Sequence, residues 1–219
     1  MLRIRTASVL VFALVGLFAL VGAPSASASS IQFTLTDGSH CTGGCAPGPF
    51  GTIDISTIDP NTVDVLVTLV DGNKFVDTGS GHETITWNIF GTPAITIGPL
   101  PSGFELGPRP VGVPGMGTFD YSIHCPGCGP GASHANPGPL EFTITAAGGL
   151  TPEMFIANDS GYTFSADIIA INGNTGSVGS FGRTETTTDV AAVPEPASIA
   201  LLGTGLLGLC RRLRTRRNR

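Results

Sequence analysis

Hydrophobic and polar residues alternate with a period of two along much of the middle of the chain. The alternation is clearest around Phe33, Ile55, Val65 and Phe142, where apolar residues are separated by Thr, Asp or other polar residues. This pattern is typical of β-strands that bury one face. It predicts strands near residues 31–36, 51–58, 62–70, 84–90, 94–98, 117–123, 140–146 and 162–170.

Turn-forming residues separate these predicted strands. Asp59-Pro60-Asn61 predicts a turn between two of them, and the Gly- and Pro-rich run 98–117 predicts a long loop. Thr151-Pro152-Glu153 opens the one predicted helical turn, residues 151–157. We therefore expect an all-β, single β-sandwich-like domain over residues 29–183, followed by a Thr-rich linker at 184–193.

Composition and charge limit the number of domains and the classes of partner that we expect for this chain. The 219 residues include 31 Gly and 17 Pro, and 41% are hydrophobic, which is enough apolar material for one domain. Residues 29–192 carry 15 Asp or Glu against Lys74, Arg109 and Arg183, a net charge of -12. Because nucleic-acid phosphates require a basic surface, we expect no nucleic-acid partner.

The first 28 residues are typical of a signal peptide. Arg3 and Arg5 precede an uncharged apolar run, and Ala26-Ser27-Ala28 supplies the small residues that signal peptidase requires. We therefore predict cleavage after this segment, with Ala26 and Ala28 at the site, and a mature chain outside the cytoplasm. An uncleaved membrane anchor is the alternative.

Residues 194–219 have three consecutive parts. Pro194-Glu195-Pro196 is followed by the uncharged run 197–210 and then by basic residues, which are Arg211, Arg212, Arg214, Arg216, Arg217 and Arg219. Fourteen helical residues extend about 21 Å, against about 30 Å of hydrocarbon. Such a segment would hold the protein in the inner membrane only weakly, as expected of a processing intermediate. The apolar run contains a GxGxxG pattern, but it lacks the βαβ context that a dinucleotide site requires.

This tripartite segment resembles the PEP-CTERM sorting signal of Gram-negative bacteria. The resemblance covers only the C-terminal residues, through the Pro-Glu-Pro motif, the apolar helix and the Arg cluster. It implies that an exosortase-type enzyme recognises and removes the tail. It also implies that the protein passes through the inner membrane and ends on the cell surface or in the exopolysaccharide matrix.

Four of the five cysteines form two similar clusters, each with a His directly before its first Cys. The export signal favours disulfides, because thiols do not persist in an oxidising compartment. The sequence leaves the three possible pairings open. A zinc site is the alternative, and a thiol-redox role for the CxxC pair is less consistent with its turn-like Pro-Gly centre. The residues concerned are His40, Cys41, Cys45, His124, Cys125 and Cys128.

Other catalytic and binding motifs are incomplete. His82-Glu83 begins like HExxH but lacks the second His, and no GxSxG occurs. Asp71, Asn73 and Asp77 could hold calcium, although a solvated turn is the simpler interpretation. Aromatic side chains on strands usually belong to the core but could instead stack on sugars, and those considered are Trp87, Phe90, Tyr121 and Tyr162.

These observations predict a non-enzymatic, exported structural or adhesive protein without a cofactor. Its expected partners are the processing enzyme, the inner membrane during export and an exopolysaccharide. The alternative is a carbohydrate-binding module or a polysaccharide-modifying enzyme whose carboxylates the sequence does not locate.

Overall fold

The computed structural model describes residues 29–70, 72–79 and 81–182, and these residues form an all-β structure. A short 3-10 turn, Pro152–Met154, forms the first part of the predicted helical turn 151–157, and residues 155–157 are not helical. Within the described ranges no helix is long and apolar enough to cross a membrane. The strands are β1 Ser30–Leu35, β2 Asp37–Cys41, β3 Gly51–Asp59, β4 Thr62–Leu69, β5 Lys74–Phe75, β6 Ile85–Trp87, β7 Ile95–Ile97, β8 Glu105–Leu106, β9 Val111–Val113, β10 Gly117–Phe119, β11 Tyr121–His124, β12 Leu140–Ala146, β13 Tyr162–Ile169 and β14 Thr175–Phe181.

Five strands form the first sheet, in the order β1-β3-β4-β12-β7, and all neighbours are antiparallel. The hairpin between β3 and β4 turns at the predicted position, where the Asn61 backbone N–H donates to Asp59 Oδ1 at 2.8 Å. The alternating burial of β1, β3, β4 and β12 matches the alternation in the sequence. The period-two pattern therefore predicted this sheet well.

The second sheet has the order β2-β14-β13-β6-β11-β8, and β5 pairs with the end of β13. Its pairs are also antiparallel. The predicted strand 162–170 is confirmed as β13. The predicted strands 84–90 and 94–98 are shorter in the structure, as β6 and β7.

The main hydrophobic core joins the two sheets. The rings of Phe33 on β1 and Phe164 on β13 pack edge to face, with centroids 4.9 Å apart. The ring centroids of Trp87 on β6 and Phe142 on β12 lie 5.6 Å apart. Both contacts connect one sheet to the other, so their inward faces share one core, an arrangement consistent with a β-sandwich.

A second, smaller apolar cluster lies beside the β9–β10 hairpin. Every residue of β13 is buried, and Tyr162, its first residue, packs with the hairpin and not with the main core. This part of the second sheet is therefore covered on both faces. The cluster consists of Val111, Val113, Met116, Phe119 and Tyr162.

Two sequence predictions in this region are wrong. The run 98–117 is not a continuous loop, because it contains β8 and β9. The predicted strand 117–123 is two strands, which belong to different sheets. The strand is interrupted at Asp120. The Asp120 backbone N–H donates to the side-chain oxygen of Asn88 at 2.8 Å and therefore makes no hydrogen bond to a neighbouring strand.

The sequence also gave no signal for β14, because small residues replace the alternating apolar ones. A Cβ at Gly176 would lie 2.7 Å from Cys41 Cα on β2. A Cβ at Gly179 would lie 2.6 Å from the Tyr162 ring on β13. Close packing against both neighbours therefore requires glycine at these positions and removes the hydrophobic pattern.

We expect Phe33→Ala to lower the free energy of unfolding by about 3–5 kcal/mol, because it leaves a cavity between the sheets. Chemical denaturation monitored by fluorescence measures this change. Phe90→Ala is the matched control, since Phe90 is exposed and its removal should cost no more than about 0.5 kcal/mol. Equal losses for the two variants would contradict the shared core.

Candidate functional site

The residues predicted to direct export and sorting lie outside the described ranges. Their individual roles stay predictions from the sequence. The same holds for the signal peptide 1–28, the linker 184–193 and the apolar run 197–210. The residues concerned are Ala26, Ala28, Pro194, Glu195, Pro196, Arg211, Arg212, Arg214, Arg216 and Arg217.

The first cysteine cluster is closed by a disulfide between Cys41, the last residue of β2, and Cys45. The turn between β13 and β14 holds this loop in place. Its Asn174 side chain donates to the Gly44 carbonyl at 2.6 Å. The neighbouring His40 lies away from the sulfur atoms and contacts the Tyr162 hydroxyl at 3.3 Å. This cluster is a tied loop on the edge of the second sheet.

The second cluster is closed in the same way, by a disulfide between Cys125 and Cys128. The Cys128 backbone N–H donates to the Cys125 carbonyl at 2.9 Å, which makes the CxxC segment a turn. Both cysteines are buried in the main core. His124 contacts Glu83 Oε2 through Nδ1 at 3.0 Å and not the sulfur atoms.

This arrangement does not support the zinc alternative. The four thiols are used in disulfides, and the two histidines contact tyrosine and carboxylate side chains. In the described part of the chain, no group of three or more His, Cys, Asp or Glu side chains is arranged to hold a metal ion. The thiol-redox alternative also lacks its helical context, since the Cys125–Cys128 turn follows a strand.

The calcium alternative is not supported either. The Asn73 side chain is buried and bonds to backbone groups on both sides, donating to the Phe50 carbonyl at 3.0 Å and accepting from the Ile171 N–H at 3.0 Å. Asn73 therefore fixes the chain locally and does not offer its oxygen to an ion. Asp71 lies outside the described residues.

We expect the disulfides to connect cysteines within each cluster in the protein from its host. Trypsin cleaves after Lys74, between the clusters, so a non-reduced digest should give two separate peptides, each lighter by two hydrogen atoms than its reduced form. A single joined peptide would contradict the pairing. Replacing either pair by Ala should lower the free energy of unfolding by about 2 kcal/mol, because each closed loop is short.

A buried polar cluster, which sequence reasoning missed, lies where the segment linking β5 to β6 meets β13. The Asp167 side chain is fully buried, and its Oδ2 accepts from the Thr78 backbone N–H at 2.7 Å and from the Thr78 hydroxyl at 2.8 Å. Asp167 Oδ1 has no hydrogen-bond partner among the described residues and lies 3.7 Å from His82 Nδ1. The only sequence signal for this cluster is a carboxylate within a predicted strand.

Burial controls the protonation of this cluster. It raises the pKa of Asp167 to about 7, although the two hydrogen bonds from Thr78 act in the opposite direction. Burial also lowers the pKa of His82, against the attraction of Asp77. Both shifts favour the neutral forms, because charged groups lose hydration when they are buried. Both groups are therefore more easily neutral in the folded chain than in the unfolded chain.

The cluster resembles a Ser-His-Asp set in composition but not in geometry. The Ser177 hydroxyl lies 3.0 Å from His82 Nδ1, the same nitrogen that faces Asp167. A hydrolytic triad uses one ring nitrogen for the serine and the other for the carboxylate. Ser177 is also only 1% exposed. These residues do not present a nucleophile to a substrate.

The buried carboxyl group predicts a specific dependence of stability on pH. The pKa of Asp167 is higher in the folded than in the unfolded chain, so between about pH 5 and 7 the folded state binds the extra proton and stability falls as pH rises. Asp167→Asn keeps an acceptor for Thr78 and removes this titration. Denaturation at several pH values should show that the variant lacks a loss of about 1.4 kcal/mol per pH unit in this window.

The matched control for this experiment is Glu141→Gln, an exposed carboxylate on β12. Its pH profile should follow that of the unaltered chain. Parallel profiles for the Asp167→Asn protein and the unaltered chain would contradict the account of the buried carboxyl group.

Three of the four aromatic residues considered for sugar stacking are buried. Trp87 and Tyr121 stack on each other at 5.9 Å within the core, and Tyr162 belongs to the smaller cluster. The Tyr162 hydroxyl donates to Asp37 Oδ2 at 2.5 Å, and burial together with this bond raises its pKa to about 12. These three side chains stabilise the fold, as the core interpretation predicted, and cannot form an exposed platform. Phe90 differs, since 66% of it is exposed.

An open groove of about 300 Å³ is lined on one side by Ile89, Gly91 and Thr92. Three segments that are distant in sequence form it: the turn after β6, the junction between β10 and β11, and residues 156–159. Its polar lining includes Asn88, Thr92, Asp120 and Asp159. Ile156 adds an apolar side chain to this lining, so the groove combines carboxylate, amide and aliphatic groups.

Comparison with known proteins identifies one segment. A family model of the PEP-CTERM protein-sorting motif matches residues 192–217. The match includes the Pro-Glu-Pro sequence and the basic cluster through Arg217, and it confirms the resemblance inferred from these residues. No curated protein and no solved structure matches the chain significantly.

Proposed function

We propose that this protein is a structural or adhesive component of the cell surface or exopolysaccharide matrix. The PEP-CTERM motif at residues 192–217 indicates that it is exported and sorted through its C-terminus. The motif implies processing by an exosortase-type enzyme and passage through the membrane. The sorting motif is the single observation that carries the proposal. The β domain is the part that would act at the final location.

The two disulfides support a role outside the cytoplasm. Disulfides form and persist in oxidising compartments and are rare in the cytosol. In this chain each disulfide closes a short loop at an end of a strand, and both contribute cysteines to the main core. The β domain is therefore well suited to a long-lived extracellular component.

The incomplete motifs and the side-chain geometry of the domain support a structural rather than a catalytic role. The possible hydrolytic motifs are incomplete, and the Ser177, His82 and Asp167 side chains lack the geometry of nucleophilic catalysis. We propose that the protein acts by binding or by forming part of the matrix, without catalysis and without a cofactor.

A carbohydrate-binding role is the second candidate. The groove lined by Ile156, Asn88 and Asp120 favours it, because ligand sites combine a concave shape with apolar surface and a few convergent polar groups. A polysaccharide-modifying activity would need a pair of carboxylates on opposite sides of a scissile bond. Incubating the protein with the host's exopolysaccharide separates the two, since release of fragments identifies an enzyme.

We expect replacement of Pro194, Glu195 and Pro196 by Ala to block processing, because a helical segment replaces the extended stretch that a protease binds. Immunoblots of fractionated host cells should show a larger, membrane-retained product in place of the processed one. The control replaces Thr186, Thr187 and Thr188 in the predicted linker by Ala and should be processed normally. Unchanged size and location of the Pro-Glu-Pro variant would contradict the sorting role.

A further inference from the structure

The strand β1 lies at the edge of the first sheet, and among the described residues it pairs with β3 alone. The carbonyls of Ser29 and Leu35 accept backbone N–H groups near the two ends of β3. In an antiparallel strand the backbone groups of successive residues point to opposite edges. The even-numbered residues Ser30, Gln32 and Thr34 therefore direct their backbone N–H and C=O groups away from β3.

These outward backbone groups form an open edge. In the described part of the chain, the outward N–H and C=O groups of Ser30, Gln32 and Thr34 make no hydrogen bond. The next residue in this series, Thr36, donates its N–H to the Gly179 carbonyl on β14 at 2.9 Å, so the open edge ends there. Unpaired backbone donors and acceptors at a sheet edge are a template for a further strand.

The sequence of β1 does not protect this edge. The strand has six residues, without a charged residue, a proline or a bulge. The other edge strands of the two sheets differ. β7 has three residues between Pro93 and Pro99, β8 has two residues, and β2 begins with Asp37 and pairs irregularly with β14. Shortness, charge, proline and bulges are the features that prevent edge pairing.

A second copy of β1 complements the open edge. Two identical strands can pair in antiparallel fashion about a two-fold axis, because the same patch then meets itself. With the axis at Gln32, each Gln32 lies opposite the other, and Ser30 of each copy lies opposite Thr34. Residues in such hydrogen-bonded pairs exchange both their N–H···O bonds. This register therefore pairs all the open backbone groups of both strands.

The charge of the domain is compatible with this contact. Residues 29–192 carry a net charge of -12, but β1 contributes none of it. The carboxylate opposite Gln32 on β3 is Asp54, which accepts from Gln32 Nε2 at 2.7 Å. In the paired sheet Asp54 and its copy would be three strand spacings apart, about 14 Å. Salt at physiological strength screens charges beyond about 8 Å.

We propose that two copies of this protein associate through β1, as antiparallel strands with Gln32 opposite Gln32, so that their first sheets form one continuous sheet. The core is undisturbed, because Ile31, Phe33 and Leu35 keep their inward positions. The inference goes beyond the proposed function, since it gives the structural role a partner and does not depend on sorting. A contact of one strand is small, so the association is weak and is favoured where copies are dense.

The test is position-specific disulfide crosslinking of the purified full chain. Gln32→Cys places two thiols in a hydrogen-bonded pair, whose Cα atoms lie about 5.5 Å apart, which suits a disulfide. Diamide oxidises the two thiols by taking up their hydrogen atoms. We expect a covalent dimer on a non-reducing gel. Every variant also carries Cys210→Ala, so that the introduced cysteine is the one that crosslinks.

Matched controls report the register. Thr34→Cys places a thiol on the same strand and face, but in the proposed dimer its copy lies four residues away, about 13 Å, which is too far for a disulfide. Thr34→Cys alone should crosslink at least about tenfold more slowly than Gln32→Cys, as should Glu141→Cys on the exposed face of β12. A mixture of Ser30→Cys and Thr34→Cys chains should crosslink to each other.

A proline variant tests the backbone pairing itself. The Thr34 N–H points away from β3, so Thr34→Pro removes a donor from the open edge and leaves the ladder to β3 intact. Added to Gln32→Cys, it should slow crosslinking by about tenfold or more, because the dimer loses two hydrogen bonds and close approach of the strands. Thermal denaturation checks that this variant stays folded.

The outcomes separate this inference from the proposed function. No crosslinking of the Gln32→Cys chain, equal rates for the three cysteine positions, or an unchanged rate with Thr34→Pro in a folded protein would overturn the β1 contact. Each result would leave sorting through the Pro-Glu-Pro motif untouched, because fractionation of host cells tests that claim separately.

Discussion

Burial of the central strand β13 on both faces is the constraint on which the rest of this structure depends. One face of β13 contributes Phe164, Ala166 and Ile168 to the main core, as in any sheet of a sandwich. The other face carries Ser165 and Asp167, which are also buried.

Polar groups in such positions need partners within the protein. Thr78 supplies two hydrogen bonds to Asp167, and the remaining carboxyl oxygen lies 3.7 Å from His82 Nδ1. The raised pKa of Asp167 follows from this burial.

The same covering defines the groove. The β9–β10 hairpin lies over the smaller apolar cluster and ends at Phe119, and the next residue, Asp120, leaves the strand pattern. The Asn88 side chain accepts the backbone N–H that the break exposes. At Asp120 the strand therefore ends with its backbone N–H bonded to Asn88, and the Asp120 side chain lines the groove. An open groove forms at this edge of the domain.

Alternation predicts strands only where apolar residues mark one face. It identified β1, β3, β4 and β12 with nearly correct bounds, because the outer face of the first sheet is polar. It missed β14, where Gly176 and Gly179 are required by close packing. It also joined β10 to β11, because nothing local in the sequence reveals that Asn88 interrupts the ladder at Asp120.

The candidate sites show the same limit. The disulfide interpretation of the cysteines followed from the predicted compartment, whereas the pairing within each cluster needed the fold. Phe90 was among the aromatic residues considered, but its exposure could not be separated from the burial of Trp87 by composition. The contacts between Asp167 and His82, and the groove itself, join segments that only the tertiary structure brings together.

The central claim is that this acidic β domain is exported, oxidised and released from its sorting segment. The intact mass of the protein recovered from its natural host tests this claim most directly. The account predicts a chain that lacks the signal peptide and the segment beyond the Pro-Glu-Pro motif, with four fewer hydrogen atoms than its reduced form. A full-length chain with four reduced core thiols, recovered from the cytosol, would contradict it.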